Sequence, residues 1–181
     1  MSAKWPSVTQ VLSVYADFSR IRPDILERAA RRGTRVHETC AAIATGLWAP
    51  DLAREEQGYV RSFQKWFSNV QRVHAVETEL FHPVYRYMGH LDLCVTMQNE
   101  PHVRVVDLKT PLTEAPTWKA QLAAYSELVR VNMGLEPQRC GSLQLHPDGS
   151  TPRFREYQEQ ARDLAAFLNA LAAYNYFRKG E

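Results

Sequence analysis

Two runs of alternating residues, joined by a short turn, constrain this chain more than any other feature. From Tyr87 to Met97, Leu91, Leu93, Val95 and Met97 fall on one face of a strand, and His90, Asp92, Cys94 and Thr96 on the other. Gln98-Asn99-Glu100-Pro101 reads as a turn. Val103 to Thr110 reads as a second strand with Val105, Asp107 and Lys109 on one face. So short a turn makes the pair antiparallel. Centred between Asn99 and Glu100, it sets Asp92 opposite Asp107 and His90 opposite Lys109. Directly opposed like charges destabilise a sheet. At roughly 5 Å and an effective dielectric of about 20, the repulsion is on the order of 3 kcal/mol. A shared proton or a bound divalent cation would offset it, and Lys109, about 7 Å along the strand from Asp107, would do so in part. The alternative is an Asp–Lys ladder on a solvated face. Val105, Val106 and Leu108 make the second strand apolar on both sides, as in a central strand, where carboxylates need partners. Two hard carboxylate oxygens suit Mg²⁺ or Mn²⁺.

Around this hairpin the period changes. The first third has helical spacing. Asp24-Ile25-Leu26-Glu27 resembles a capping box. Gly33-Thr34 predicts a break, with Thr34 capping a second helix that carries Val36, Cys40, Ile43 and Leu47 and stops near Gly46. Leu52, Tyr59, Phe63, Trp66, Phe67 and Val70 mark a third helix. Ala75 to Phe81 reads as a strand. After the hairpin comes a helix from Pro116 to Met133, with Trp118, Leu122, Tyr125, Leu128 and Val129 on its stripe. Strands from Arg139 to His146 and from Arg153 to Tyr157 follow, joined through Pro147-Asp148-Gly149-Ser150, and a last helix carries Ala161, Leu164, Leu168 and Leu171. The order predicts an α/β domain: a mixed central sheet of about five strands flanked by helices. The expected layout is one domain over 1–181, with a helical N-terminal part at 1–74, a sheet core at 75–157 that includes the helix 116–133, and a C-terminal helix at 158–178.

Composition narrows the function. With 181 residues, 45% hydrophobic, the chain can bury a core without staples. No run of about 18 apolar residues is present to span a membrane, and the first residues lack the apolar stretch of a secretory signal. Cys40, Cys94 and Cys140 are odd in number and widely spaced, which argues against disulfides, a structural zinc site or an iron–sulfur cluster. A cytoplasmic location is expected. The net charge of +2 leaves nucleic acid open, so clustering of the basic residues decides.

An ordered set of motifs resembles the PD-(D/E)XK nuclease superfamily, and more closely its RecB-type and phage-type exonuclease branch. Gly89-His90-Leu91-Asp92 resembles the branch's Gly-x-x-Asp strand, Asp107-Leu108-Lys109-Thr110 its Asp-x-Lys-Thr strand, and Gln121-Leu122-Ala123-Ala124-Tyr125 its Gln-x-x-x-Tyr helix. Upstream, Pro6-Ser7-Val8-Thr9-Gln10-Val11-Leu12, Arg32-Gly33-Thr34-Arg35-Val36-His37 and the acidic Glu77 also fit. So do Leu145-His146-Pro147-Asp148-Gly149 and Tyr174-Asn175-Tyr176 downstream. Pro111 departs from the pattern, standing where the family often has Gly.

The resemblance implies a restriction-endonuclease-like core and metal-dependent phosphodiester hydrolysis. Asp92, Asp107 and the Leu108 backbone carbonyl would ligate one or two Mg²⁺ or Mn²⁺ ions, and Lys109 would polarise the attacking water. Gln121 would support the site, and Tyr125 would touch it or the nucleic acid. His37 would join the metal shell; the other reading is a plain helix histidine. Glu77 would be a second-metal ligand or a water-binding group, or else an ordinary strand-edge acid, with Glu79 its competitor. Arg28, Arg31, Arg32 and Arg35, four arginines in eight residues, would grip a phosphate backbone or form a solvated helix face. The expected activity is a DNA exonuclease of phage or prophage type acting in recombination, repair or recycling, with a recombination protein as a candidate partner. A PD-(D/E)XK endonuclease and a non-catalytic DNA-binding subunit are the alternatives.

Overall fold

The computed structural model describes residues 5–16, 21–48, 51–111 and 113–178. The hairpin predicted from alternation is its centre. β1 spans Val70–His82, β2 Tyr87–Met97 and β3 Glu100–Lys109. The chain then crosses through α4 (Trp118–Met133) to β4 (Pro137–Gln144), turns into β5 (Arg153–Glu156), and ends in α5 (Gln160–Arg178). Before the sheet come α1 (Val8–Ser13), α2 (Pro23–Ala44) and α3 (Arg54–Phe67). The five strands lie in chain order. β3 and β4 pair in parallel, the other neighbours antiparallel. The sheet is therefore mixed, as expected. β1 starts at Val70, so the helical part ends earlier than 74. Among the described residues no helix is long and apolar enough to cross a membrane.

Apolar residues fill both faces of the sheet. On one side, Val8 and Val11 of α1, Leu122 and Leu128 of α4 and Phe167 of α5 pack over Tyr87, Leu91, Cys94 and Val105. On the other, Val36 and Cys40 of α2 and Phe63 and Trp66 of α3 cover Leu93, Val95, Val106, Leu108 and Leu143. β3 feeds both cores, which is why it is apolar on both sides.

The β2–β3 register is the predicted one. Leu93 pairs with Val106 and Cys94 with Val105, so the next residues outward are Asp92 and Asp107. The turn itself is two residues shorter than the expected Gln98–Pro101. Met97 pairs with Glu100 across Gln98 and Asn99, the latter at φ +62°, and an irregularity beside Met97 restores the register. The even alternation along β2 is broken at Asp92. Leu91 packs with the α4-side core, whereas Leu93, Val95 and Met97 pack with the α3-side core.

Two helix expectations are corrected. α2 runs unbroken through Gly33 and Thr34. The Thr34 hydroxyl donates to the Ala30 carbonyl at 3.2 Å, a back-bond inside a helix rather than a cap. A mid-helix glycine costs only about 1 kcal/mol, and burial of Val36 and Cys40 against α3 and the sheet outweighs it. Asp24 is not an N-cap either. The helix starts after Arg22 with Pro23 in its first turn, and Asp24 pairs with Arg22 at 3.0 Å.

Close approach explains two glycines. A Cβ on Gly89 would lie 2.6 Å from Leu128 Cδ1 and 2.8 Å from the Tyr125 ring, so Gly89 lets α4 settle onto β2 beside the two aspartates. A Cβ on Gly58 of α3 would lie 1.6 Å from the Pro147 carbonyl oxygen. At Gly33, by contrast, the nearest atom is Thr110 Oγ1 at 3.8 Å, an ordinary contact. Chemical denaturation should therefore show Gly58→Ala destabilised by about 1–3 kcal/mol or more, and Gly33→Ala unchanged or stabilised by up to about 1 kcal/mol. The opposite ranking would contradict the continuous helix and its packing.

Candidate active site

Where β2 and β3 separate, the two aspartates become the floor of a cleft of about 460 Å³. Thr9 of α1, Gly33, Thr34, His37 and Glu38 of α2, Glu77 of β1, His90 and Asp92 of β2, Asp107 and Lys109 of β3, and Gln121 and Tyr125 of α4 line it. Both carboxylates are buried, so the solvated-ladder alternative is ruled out. Each has been given partners.

Asp92 Oδ2 accepts a hydrogen bond from the Leu108 amide at 2.7 Å and faces His37 Nδ1 at 3.4 Å. Burial pushes the Asp92 carboxyl up, but the imidazolium, the amide and Lys109 hold it below the ordinary carboxylate range. Burial alone would lower the pKa of His37. The Asp92 carboxylate, helped by Asp107 and Glu77, reverses that and pushes it up to about 9.

Asp107 sits differently. Its Oδ1 accepts from Gln121 Nε2 at 3.0 Å. Its Oδ2 lies 2.5 Å from Lys109 Nζ, yet that buried oxygen has no aligned hydrogen bond. Burial drives the carboxyl upward; the Lys109 ammonium opposes this, the Asp92 charge adds to it, and the result is about 6. Gln121 ties the group together. Its Oε1 accepts from Lys109 Nζ at 3.2 Å, and its Nε2 also donates to Tyr125 Oη at 3.1 Å. Gln121 and Tyr125, four residues apart on α4, share the face turned to the sheet. The Tyr125 phenol is buried, which raises its pKa, and it meets the site through Gln121.

Glu77 is brought in by a local distortion. It lies in β1 between Val76 and Thr78, which pair with Leu93 and Leu91, so it faces Asp92. Its φ of +41° is rare for a residue with a side chain. Glu77 Oε2 meets His90 Nε2 at 2.6 Å, and burial together with the Asp92 charge raises the Glu77 pKa. Glu79, its competitor, is exposed and outside the cleft lining.

His37, Glu77 and Asp92 each offer a ligand atom, and these atoms lie within 4.8 Å of one another. One imidazole nitrogen and carboxylate oxygens form a donor set that suits Mg²⁺ or Mn²⁺. Asp107, which lines the same cleft, keeps its buried Oδ2 in an ion pair with Lys109 but without an aligned hydrogen bond. These residues fit a hard divalent cation.

The arginine cluster divides. Arg28 and Arg31 are exposed. Arg35 is held by Glu56 at 3.2 Å and by the Asp51 carbonyl at 3.0 Å. Arg32 lies over the Tyr59 ring, 5.4 Å from its centroid. Two of the four thus serve α2–α3 packing, a tertiary effect that a charge run cannot reveal. Sequence reasoning also gave no role to His90, although the Gly-His-Leu-Asp motif contains it, nor to Thr9, Thr34 and Glu38, which reach the cleft only through the helix arrangement.

A family model describing the PD-(D/E)XK nuclease superfamily matches residues 9–176. No curated protein sequence matches the chain. Among solved structures, it is similar to an alkaline exonuclease (LHK-Exo) from Laribacter hongkongensis, with 15% identity and a TM-score of 0.46, over 97% of this chain and 92% of that one.

The pKa shifts fix the sign of two stability effects. Asp107 binds its proton more tightly in the folded than in the unfolded state, so it lowers stability as pH rises through about 4 to 6. In metal-free protein at pH 7, Asp107→Asn should therefore raise unfolding stability by about 1–3 kcal/mol, and the gain should vanish near pH 4. His37 is raised, so its contribution is complete below about 6.5 and is lost as pH rises through about 9. Denaturation across this range should show that loss in the wild type and its absence in His37→Asn. A flat wild-type profile would contradict the ion pair.

Proposed function

The chain belongs to the PD-(D/E)XK nuclease superfamily, and on that premise we propose that it is a metal-dependent DNA exonuclease. One observation carries the proposal: Asp92, Asp107, Lys109 and His37, from three separate elements, line a single cleft and are cross-linked by Gln121 and the Leu108 amide. The exonuclease assignment, and a role in DNA recombination, repair or recycling of phage type, rest on the ordered motif set from Arg32-Gly33-Thr34 to Gln121-Leu122-Ala123-Ala124-Tyr125. The three free, buried cysteines suit a reducing, cytoplasmic setting.

Phosphodiester hydrolysis needs a nucleophilic water and a countercharge for the developing phosphorane. Acidified water and offset phosphate charge are what a divalent cation supplies in such a site. Asp92, Asp107, the Leu108 carbonyl and His37 would hold it, and Glu77 would complete the set on the β1 side. To ligate, His37 must give up the proton that Asp92 stabilises, so metal affinity should rise with pH toward about 9. Lys109 presents a compact ammonium between Asp107 and Gln121. There it orients the attacking water and adds positive charge next to the phosphate. Gln121 keeps the amine and the carboxylate at fixed separation, and Tyr125 keeps Gln121 from turning. Exposed Arg28 and Arg31 on α2 would meet the DNA backbone.

Purified protein with Mg²⁺ or Mn²⁺ should degrade linear DNA, spare a covalently closed circle, and stop on addition of EDTA. Nicking of the circle would instead mark an endonuclease, and intact DNA with either ion would mark a binding subunit. Asp107→Ala should abolish cleavage while retaining DNA binding in a mobility-shift assay. Lys109→Arg should lower the cleavage rate by on the order of 100-fold, because a planar fork does not replace a point charge in this space.

A further inference from the structure

Lys109 is held on three sides, and only two of them belong to the family motifs. Asp107 Oδ2 and Gln121 Oε1 lie 2.5 and 3.2 Å from its Nζ. The third side is the face of Trp118, whose ring centroid is 5.2 Å from Nζ. That is within the distance at which an ammonium is attracted to an indole quadrupole. We propose that Trp118 is a positioning residue, whose indole face holds the Lys109 ammonium over the cleft during phosphodiester cleavage. This role rests on the nuclease reading.

Three arguments support it. Trp118 is itself fixed: it is buried in the α4-side core, and its amide bonds the Ala115 carbonyl at 3.1 Å. It stands in register with the rest of the site, because Trp118, Gln121 and Tyr125 occupy successive turns of one α4 face. Lys109 meets the first two of these, Asp107 the second, and the third braces Gln121. Finally, a lysine amine on a flexible four-carbon stem needs constraint. Once Asp107 shares its charge with a divalent cation, its hold on Lys109 weakens, and the neutral partners, Trp118 and Gln121, carry more of that constraint. An aliphatic side chain would occupy part of this space without offering the negative ring face.

The test compares Trp118→Phe, which keeps a ring face, with Trp118→Leu, which does not, in the full chain. Both remove volume from the core, so melting curves control for shared destabilisation. On linear DNA with Mn²⁺, Trp118→Leu should lower kcat by roughly 3- to 30-fold with KM changed by no more than about twofold, and Trp118→Phe should recover most of the loss. Equal kcat losses in the two variants, or none in Trp118→Leu, would overturn the proposal. NMR gives a readout independent of turnover. The Lys109 Cε protons should be shifted upfield by the indole ring in metal-free wild type and return to ordinary values in Trp118→Leu. Unshifted wild-type protons would refute the contact itself. A shifted signal in a wild type that cleaves no DNA would refute the nuclease reading, and Trp118's catalytic purpose with it, while leaving the contact standing.

Discussion

Two carboxylates side by side on neighbouring strands are the constraint around which this molecule is arranged. Asp92 and Asp107 follow directly on the last paired residues of the central hairpin, and both are buried. Left alone, they would repel each other and lose their hydration. The fold supplies a separate answer to each. Asp92 is given an imidazolium and a backbone amide, and Asp107 an ammonium and a side-chain amide. Even so, the Asp107 carboxyl stays well above its ordinary pKa and one of its oxygens lacks a hydrogen bond. Neutralisation of Asp107 is thus incomplete, which suits an acid that could share its charge with a cation.

The surrounding architecture supplies these partners from both faces of the sheet. α2 delivers His37 because Val36 and Cys40 anchor the helix in the core opposite α4. α4 delivers Trp118, Gln121 and Tyr125 because Gly89 permits its close approach to β2. In the metal-free protein His37 and Lys109 are the positive charges beside the acids. A divalent cation would replace the His37 proton but leave Lys109 in place. The same residues therefore serve stability without metal and, in the proposed reaction, catalysis with it.

Much of this was legible in the sequence, for physical reasons. The alternation along β2 and β3, pinned by a short turn, fixed the strand register and hence the acid pair. The irregularity between Thr96 and Met97 reconciles the two-residue-shorter turn with that register. The apolar runs on both sides of β3 marked it as central. What was hidden depends on tertiary contacts. Gly33 looked like a helix break because propensity is local, whereas α2 is held together by packing on α3 and the sheet. Glu77 and Glu79 looked equivalent until the positive φ of Glu77 turned it toward Asp92. The phase change at Asp92 could not be inferred from alternation, since Leu91 and Leu93 are equally apolar. Arg32 and Arg35 resembled a phosphate grip because nothing in the sequence shows Tyr59 and Glu56 beneath them.

Titration of the EDTA-stripped protein with Mn²⁺ by calorimetry, in two buffers of different ionisation enthalpy, tests the central claim most directly. Saturable binding near pH 7.5, accompanied by release of about one proton from His37 and lost in Asp92→Ala, is the predicted result. No binding in the presence or absence of linear DNA, or binding unaffected by removing the Asp92 carboxylate, would contradict the account.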